Sequence, residues 1–376
     1  MSNGIRLTLM IGPAVPIPVS SEILDALDQI RVESSSGDTQ SGFELTFSLS
    51  KRSPLQTIFL LTGGATIPIL RVVIVVTIGG NAEVLMDGVI THHEMRPGAA
   101  GAPATLVVKG KDLSALMDYI ELDGLPFPAM PPALRVLVSL AKYAAFGVIP
   151  IVIPSIVEDL PIPIERIPRQ QGTDYAYISQ LAREAGYVFY LDPGPLPGTS
   201  RAYWGPEIKV GAPQPALNTD MDAHTNVESL SFNFDKEAKE LPIVFIQNAA
   251  TKVPIPIPIP DITPLNPPLG LVPPLPPKLK FLTDTAKLSP LQAVMQGLAY
   301  ASQHADAVSG TGSLDVARYG RVLKSRQLVG VRGAGTPFDG LYYVKSVAHT
   351  IKRGDYKQNF TLARNGLIST LPTVPA

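Results

Sequence analysis

Hydrophobic and polar positions alternate most regularly over Gly42 to Ser50, where Phe43, Leu45, Phe47 and Leu49 interleave with Glu44, Thr46 and Ser48. A period of two puts the first set on one face and predicts a half-buried β-strand. Arg71 to Ile78 is a nearly continuous Val/Ile run closed by Gly79-Gly80, and Glu83 to Thr91 and Ala104 to Lys109 add two more strand patterns. Together they predict a small antiparallel barrel or sandwich up to about Lys111. Near the other end, Leu341 to Ile351 and Tyr356 to Ala363 flank Lys352-Arg353-Gly354-Asp355. Gly354 can take the positive φ of a short turn, so these runs read as a hairpin. Tyr356, Gln358, Phe360 and Leu362 share its mainly apolar face, and Lys357, Asn359, Thr361 and Ala363 the mainly polar one.

From Leu113 the period changes. Ala133 to Ala145 places Leu134, Leu137, Val138 and Ala141 on one stripe and ends before Gly147, predicting an amphipathic helix. Asp174 to Ala185 predicts another, with Ile178, Leu181, Ala182 and Ala185 on one face, Gly186 as its stop and a strand over Tyr187 to Leu191. A third helix has Ser289 as N-cap, Pro290 at its first position and Leu291, Val294, Met295 and Leu298 on one stripe. Asn226 to Phe234 and Leu241 to Gln247 read as paired strands. The strand pattern resumes, after Gly310-Thr-Gly312, at Arg318 to Val331.

Between these pieces, Lys252 to Lys280 carries proline at nearly every second or third position: Pro254-Ile-Pro-Ile-Pro-Ile-Pro260, Pro267-Pro268 and Pro273-Pro-Leu-Pro-Pro277. Proline lacks an amide hydrogen and fixes φ, which predicts extended polyproline II rather than sheet. A stiff spacer is the expected role, and the alternating isoleucines predict that it lies on an apolar surface.

The chain has 376 residues, enough for about two to four modules. Lys plus Arg number 31 against 32 Asp plus Glu, so no global field draws it to nucleic acid. It has no cysteine, which excludes thiol catalysis, disulfides and sulfur-ligated metals. The start, Met1-Ser-Asn-Gly-Ile-Arg6, lacks the pattern of a secretory signal, so synthesis in the cytoplasm is expected. Ala65 to Ile78 contains Pro68 and Arg71, and Leu134 to Ile153 is broken by Arg135, Lys142, Gly147 and Pro150. Both are expected to be buried elements rather than membrane spans.

The stretch Phe338 to Leu367, closing with Arg364-Asn365-Gly366-Leu367, resembles the last hairpin of the contractile-tail baseplate hub family: phage late control protein D, T4-type tail hubs and the hub portion of type VI secretion spike proteins. Thr173 to Tyr190 is similar to that family's helix-strand signature, in which an acidic residue and an aromatic precede a leucine-alanine helix and a glycine-aromatic strand. Asn226 to Phe234 resembles its entry into a second barrel. The resemblance implies a mainly β (α+β) chain with two tail-tube-like antiparallel β-barrels, an α/β connecting domain and a proline-rich insertion. The expected boundaries are a first barrel over 1–112, the α/β domain over 113–225, a second barrel split between 226–250 and 312–368 by an arm and helix over 251–311, and a tail over 369–376.

The same resemblance implies a non-enzymatic homotrimer that adapts a six-fold inner tube to a three-fold spike within a phage tail or injection particle. Its partners would be the inner tube protein, a spike protein and other baseplate components. Because the chain stops at Ala376, soon after the closing hairpin, the spike is expected to be a separate polypeptide. Asp87-Gly88 through His92-His93 to Lys109-Gly110 is echoed by Asp339-Gly340 through His349 to Arg364-Asn365, which suggests an internal repeat. Three chains carrying two such units each would present six to a six-fold tube. A tail-associated cell-wall hydrolase and a proline-rich interaction protein are the alternatives.

Candidate chemistry is sparse. His92-His93 are adjacent and point to opposite faces of a strand, and His224 with Asp220 and Asp222 has no recognised ligand spacing. Glu158 with Asp159, or Glu184 with Asp192, could be drawn as carboxylate pairs, but solvated turn and helix charges explain them. Gly63-Gly64 and Gly79-Gly80 lack the Lys and Ser/Thr of a phosphate loop, and Arg332-Gly-Ala-Gly335 reads as a loop. Arg318, Arg321, Lys324, Arg326 and Arg332 suggest a subunit or channel surface. No catalytic, metal or cofactor residue is expected.

Overall fold

The computed structural model describes residues 4–13, 15–37, 39–49, 69–98, 103–155, 161–164, 167–247, 253–260, 266–275 and 278–371. The first segment forms β1 (Ile5–Gly12), β2 (Ile17–Pro18), β3 (Leu27–Ser35), β4 (Gly42–Leu49), β5 (Arg71–Ile78), β6 (Asn81–Arg96) and β7 (Ala104–Asp112), with a short helix α1 (Ser21–Ala26) before β3. The alternation read in β4 is complete, since Phe43, Leu45, Phe47 and Leu49 are all buried. Six buried positions in succession make β5 an interior strand.

An α/β unit follows. Helix α2 (Pro132–Ala141) and helix α3 (Asp174–Ala185) pack with β8 (Val148–Val152), β9 (Val188–Pro193) and β10 (Ser200–Gly205) around Phe189 and Trp204. Thr173 caps α3 and Gly186, at φ 71°, ends it as expected. The stripe expected to be buried on α2 is the wrong one. Ala133, Val136 and Leu140 face the core, whereas Leu134, Leu137 and Val138 are 42%, 38% and 42% exposed. Ile149 and Ile151 of β8 are also exposed, so Leu134 to Ile153 is only partly interior. Among the described residues no helix is long and apolar enough to cross a membrane.

The remaining strands are β11 (Gln214–Asn218), β12 (Ser229–Phe234), β13 (Glu240–Gln247), β14 (Pro254–Pro258), β15 (Gly270–Val272), β16 (Lys278–Leu282), β17 (Val308–Asp315), β18 (Leu328–Arg332), β19 (Gly340–Lys352), β20 (Asp355–Arg364) and β21 (Leu367–Ser369). Helix α4 (Pro290–Gln303) precedes β17, and the short α5 (Val316–Tyr319) follows it. The closing hairpin is β19–β20, with Lys352 opposite Asp355 and Gly354 at φ 79°. Its expected apolar face is buried, including Gln358.

Three expectations fail here. Leu241–Gln247 does not pair with Asn226–Phe234: β12 pairs with β17, so the sheet resumes at Val308 rather than Arg318, while β13 joins β14 and β16 in a separate sheet. Pro254–Pro258 is therefore a paired strand and not a polyproline II spacer outside any sheet. Its prolines recur every second residue, so the missing amides can all lie on the side away from β13, leaving those of Ile255 and Ile257 for the ladder. Pro276 and Pro277 lie outside the described residues. On α4 the buried residues are Ala293, Gly297 and Ala301, not the expected stripe headed by Leu291. A Cβ on Gly297 would come within 2.7 Å of both Ile259 and Val244, so close approach to β13 selects small residues.

One thirteen-stranded sheet holds both strand-rich segments, and β3 pairing with β19 joins them. In the first segment the neighbours run β1-β5-β6-β7-β4-β3, and in the second β11-β18-β19-β20-β17-β12. Counted in chain order, both are 1-4-5-6-3-2. The two halves thus repeat one topology, with a parallel β11–β18 pair standing where β1–β5 is antiparallel. Each repeat has a one-residue bulge at the same step, Thr91 in β6 against β7 and Lys345 in β19 against β20.

Candidate functional site

Two of the three stretches that carry the sequence resemblance are structural clamps. Arg364 at the end of β20 is fully buried, donates to the carbonyls of Gly366 at 2.7 Å, Pro337 at 2.7 Å and Asp339 at 2.9 Å, and covers the Tyr342 ring. Asn365 accepts from the amides of Leu269 and Gly270, both at 2.9 Å. Gly366 lets β15 approach so closely that a Cβ there would meet the Val272 carbonyl oxygen at 2.6 Å. Arg-Asn-Gly thus ties the hairpin to its preceding loop and to the segment after the prolines.

Asp174, the acidic residue of the second stretch, opens α3 and is nearly inaccessible. It accepts from Lys142 at 2.7 Å, the Tyr143 hydroxyl at 2.7 Å and Gln170 at 2.9 Å, which binds the end of α2 to the start of α3. Burial and the neighbouring carboxylate push the Tyr143 phenol well above its ordinary value. Arg71 and Asp87 form a buried two-point ion pair at 2.7 and 2.6 Å, and Arg71 also donates to the Gly198 carbonyl, linking the first sheet segment to the α/β unit. At the second link, buried Lys209 donates to Asp306 at 3.3 Å, and Lys345 from the bulge reaches the same carboxylate at 3.2 Å.

The candidate chemistry disperses. His92 and His93 are exposed on β6. Asp220 and Asp222 adopt φ of 48° and 49° in a turn before His224. Among the described residues no three His, Asp or Glu side chains are grouped to hold a metal. Glu184 accepts from Gln180 and Asp192 pairs with Arg201, so each carboxylate has its own partner, while Glu158, Asp159, Gly63 and Gly64 lie outside the described residues. The amide of Ala334 is taken by Asp339, which closes Arg332-Gly-Ala-Gly335 as a turn.

The basic run is spread over a short helix (Arg318), a loop (Arg321, Lys324, Arg326) and the end of β18 (Arg332) rather than along one strand. Lys324 pairs with Glu83 at 2.7 Å and Arg326 lies 4.0 Å from the centre of the Tyr190 ring, so both bind within the chain, while Arg318 and Arg321 remain exposed. Sequence periodicity did not identify the outer face of α2, with Leu134, Leu137 and Val138 beside the exposed isoleucines of edge strand β8, as a surface. The composition of that helix carried the signal, because its buried stripe is the less apolar one.

No protein-family model and no curated protein matches the sequence. The likeness is to solved structures. A tail protein from Neisseria meningitidis MC58 matches at 14% identity over 97% of this chain and 98% of that one, with a TM-score of 0.63. The 43 kDa tail protein of prophage MuSo2 from Shewanella oneidensis matches at 12% identity over 96% and 98%, with a TM-score of 0.62. A type VI secretion component from E. coli, described as structurally similar to T4 tail proteins, matches at 11% over 93% and 78%, with a TM-score of 0.53. The chain therefore has the mainly β fold of phage-tail and type VI secretion proteins, the group the closing hairpin resembles.

Proposed function

We propose that this chain, which shares the fold of phage-tail and type VI secretion proteins, is the baseplate hub of a contractile tail or related injection particle. Three copies would adapt a six-fold inner tube to a three-fold spike, with other baseplate components around them. The repeated 1-4-5-6-3-2 strand order carries this reading. One chain contributes two like sheet units, so three chains contribute six, and a six-fold tube can meet six similar surfaces while the opposite end keeps three-fold symmetry.

In this reading the two units serve as the tube-like barrels, and β13, β14 and β16 with α4, which lie between β12 and β17 in the chain, serve as an insertion. The α/β unit knits the subunits, a role supported by the exposed apolar face of α2 and by the edge of β8, which has no partner strand among the described residues, since a lone soluble chain seldom leaves such surface open. The mechanism is mechanical. Buried clamps such as Arg364 and Asp174 hold the units rigid, and no bond is broken. The protein would be assembled in the bacterial cytoplasm and end in the tail or injection particle. Negative-stain images of purified particles carrying a label on this chain test the role: label at the junction of tube and spike is expected, and label absent from the baseplate would overturn it.

A further inference from the structure

The internal repeat has left two strand edges open. Within the chain, β19 carries β18 along Gly340 to Tyr343 and, on the same side, β3 along Ser346 to Lys352. Its equivalent, β6, carries β5 along Asn81 to Val89, but among the described residues Thr91 to Arg96 has no strand on that side. The equivalent of β3 is β12, which among the described residues pairs only with β17. Open rows of backbone N–H and C=O groups are templates for another strand.

The bulges fix the register. Aligning Lys345 with Thr91, and stepping outward along the two ladders, sets Phe232 at the place of Val32, Asn233 at that of Glu33 and Phe234 at that of Ser34. Inside the chain, Val32 faces His349, Glu33 faces Ala348 and Ser34 faces Val347. Their counterparts would be Phe232 facing Met95, Asn233 facing Glu94 and Phe234 facing His93.

We propose that β12 of one copy of this chain pairs antiparallel with Thr91–Arg96 of a second copy, in the register that sets Phe232 opposite Met95. The proposal rests on the trimeric reading and names its seam. At the internal seam Val32 and His349 are 1% and 5% exposed, so that face is core. On the corresponding face of the open edges, Met95 is 50% exposed and Phe232 and Phe234 are only half-buried. Pairing would bury all three and bring a thioether against an aromatic ring. Asp235, the next residue in register, would meet His92. Three such seams alternating with three internal β3–β19 seams close a ring of six units.

The chain has no cysteine, so engineered pairs report cleanly. Opposed residues on antiparallel strands lie about 4.5–5.5 Å apart, within the range of a disulfide. The variant carrying Asn233→Cys and Glu94→Cys is expected to oxidise to a ladder ending at a covalent trimer on a non-reducing gel. Either single variant, and a control carrying Asn233→Cys with Arg96→Cys two residues out of register, should stay uncrosslinked. Light scattering before oxidation separates the two failures. A trimer that does not crosslink, or that crosslinks equally in the control, overturns the seam and leaves the trimeric reading standing, whereas a monomer overturns both. Met95→Asp supplies a second test: its half-exposed side chain can be changed without loss of the monomer fold, and association should fall at least tenfold, whereas unchanged association overturns the seam.

Discussion

The guanidinium of Arg364 lies 4.4 Å from the centre of the Tyr342 ring and is fully enclosed. Three backbone carbonyls complete its shell, so a cation holds the loop at 337–339 against the hairpin end. Arg364→Met would keep the bulk and leave those carbonyls unpaired. A loss of about 3 kcal/mol or more is expected in urea unfolding at pH 7, because hydrogen bonds to a charged group are worth roughly 1.5–3 kcal/mol each. Arg364→Lys should recover only part of it, since one ammonium cannot reproduce the planar fork.

Stability should fall in mild acid. His349 is enclosed, its Nδ1 lies 2.8 Å from the Tyr356 hydroxyl and 3.3 Å from the Gln358 amide nitrogen, and burial lowers its pKa from 6.5 to about 4. The unfolded chain binds this proton more readily, so the stability present above pH 6.5 is lost as pH falls toward 4. By linkage the loss between pH 7 and pH 5 is about 2 kcal/mol from this group. Comparing urea curves of the native chain and His349→Gln at both pH values checks it: the variant should lose about that much less on acidification.

Gly297 decides how closely α4 packs. Replacement by leucine should cost about 1–3 kcal/mol through overpacking against Val244 and Ile259, outweighing the roughly 1 kcal/mol that leaving glycine gains for a helix. Proteolysis should then cut the β13–β14 region sooner than in the native chain.

The outer face of α2 separates folding from assembly. Leu137 is 38% exposed, so Leu137→Asp should cost a single chain only about 1–1.5 kcal/mol, from partial burial and the lower helix propensity of aspartate. If the chain forms the proposed trimer, that of the variant should dissociate at higher protein concentration than the native one, as sedimentation over a dilution series would record.

Local pattern was legible where local chemistry decides the outcome. The alternation of β4, the buried run of β5, the Ser289 cap, the Gly186 stop and the Gly354 turn all read directly from neighbouring residues. Choice of partner was not. Leu134, Leu137 and Val138 form an apolar stripe, yet periodicity cannot say that the core takes the opposite face of α2. Pairing of β12 with β17 joins residues separated by the whole β13–α4 insertion, and no local signal distinguishes it from pairing with β13. The proline run misled because a two-residue proline period spares one edge of a strand. Arg364-Asn365-Gly366 marked the hairpin end by resemblance, but its clamp became visible only once the loop at 337–339 and β15 lay beside it.

Averaged images of the purified chain viewed end-on, with its mass measured in the same preparation, test the central claim most directly. The account predicts a ring of six lobes around a channel with three-fold symmetry, at three times the 40.1 kDa of one chain. A stable asymmetric particle of 40.1 kDa at assay concentrations would contradict it.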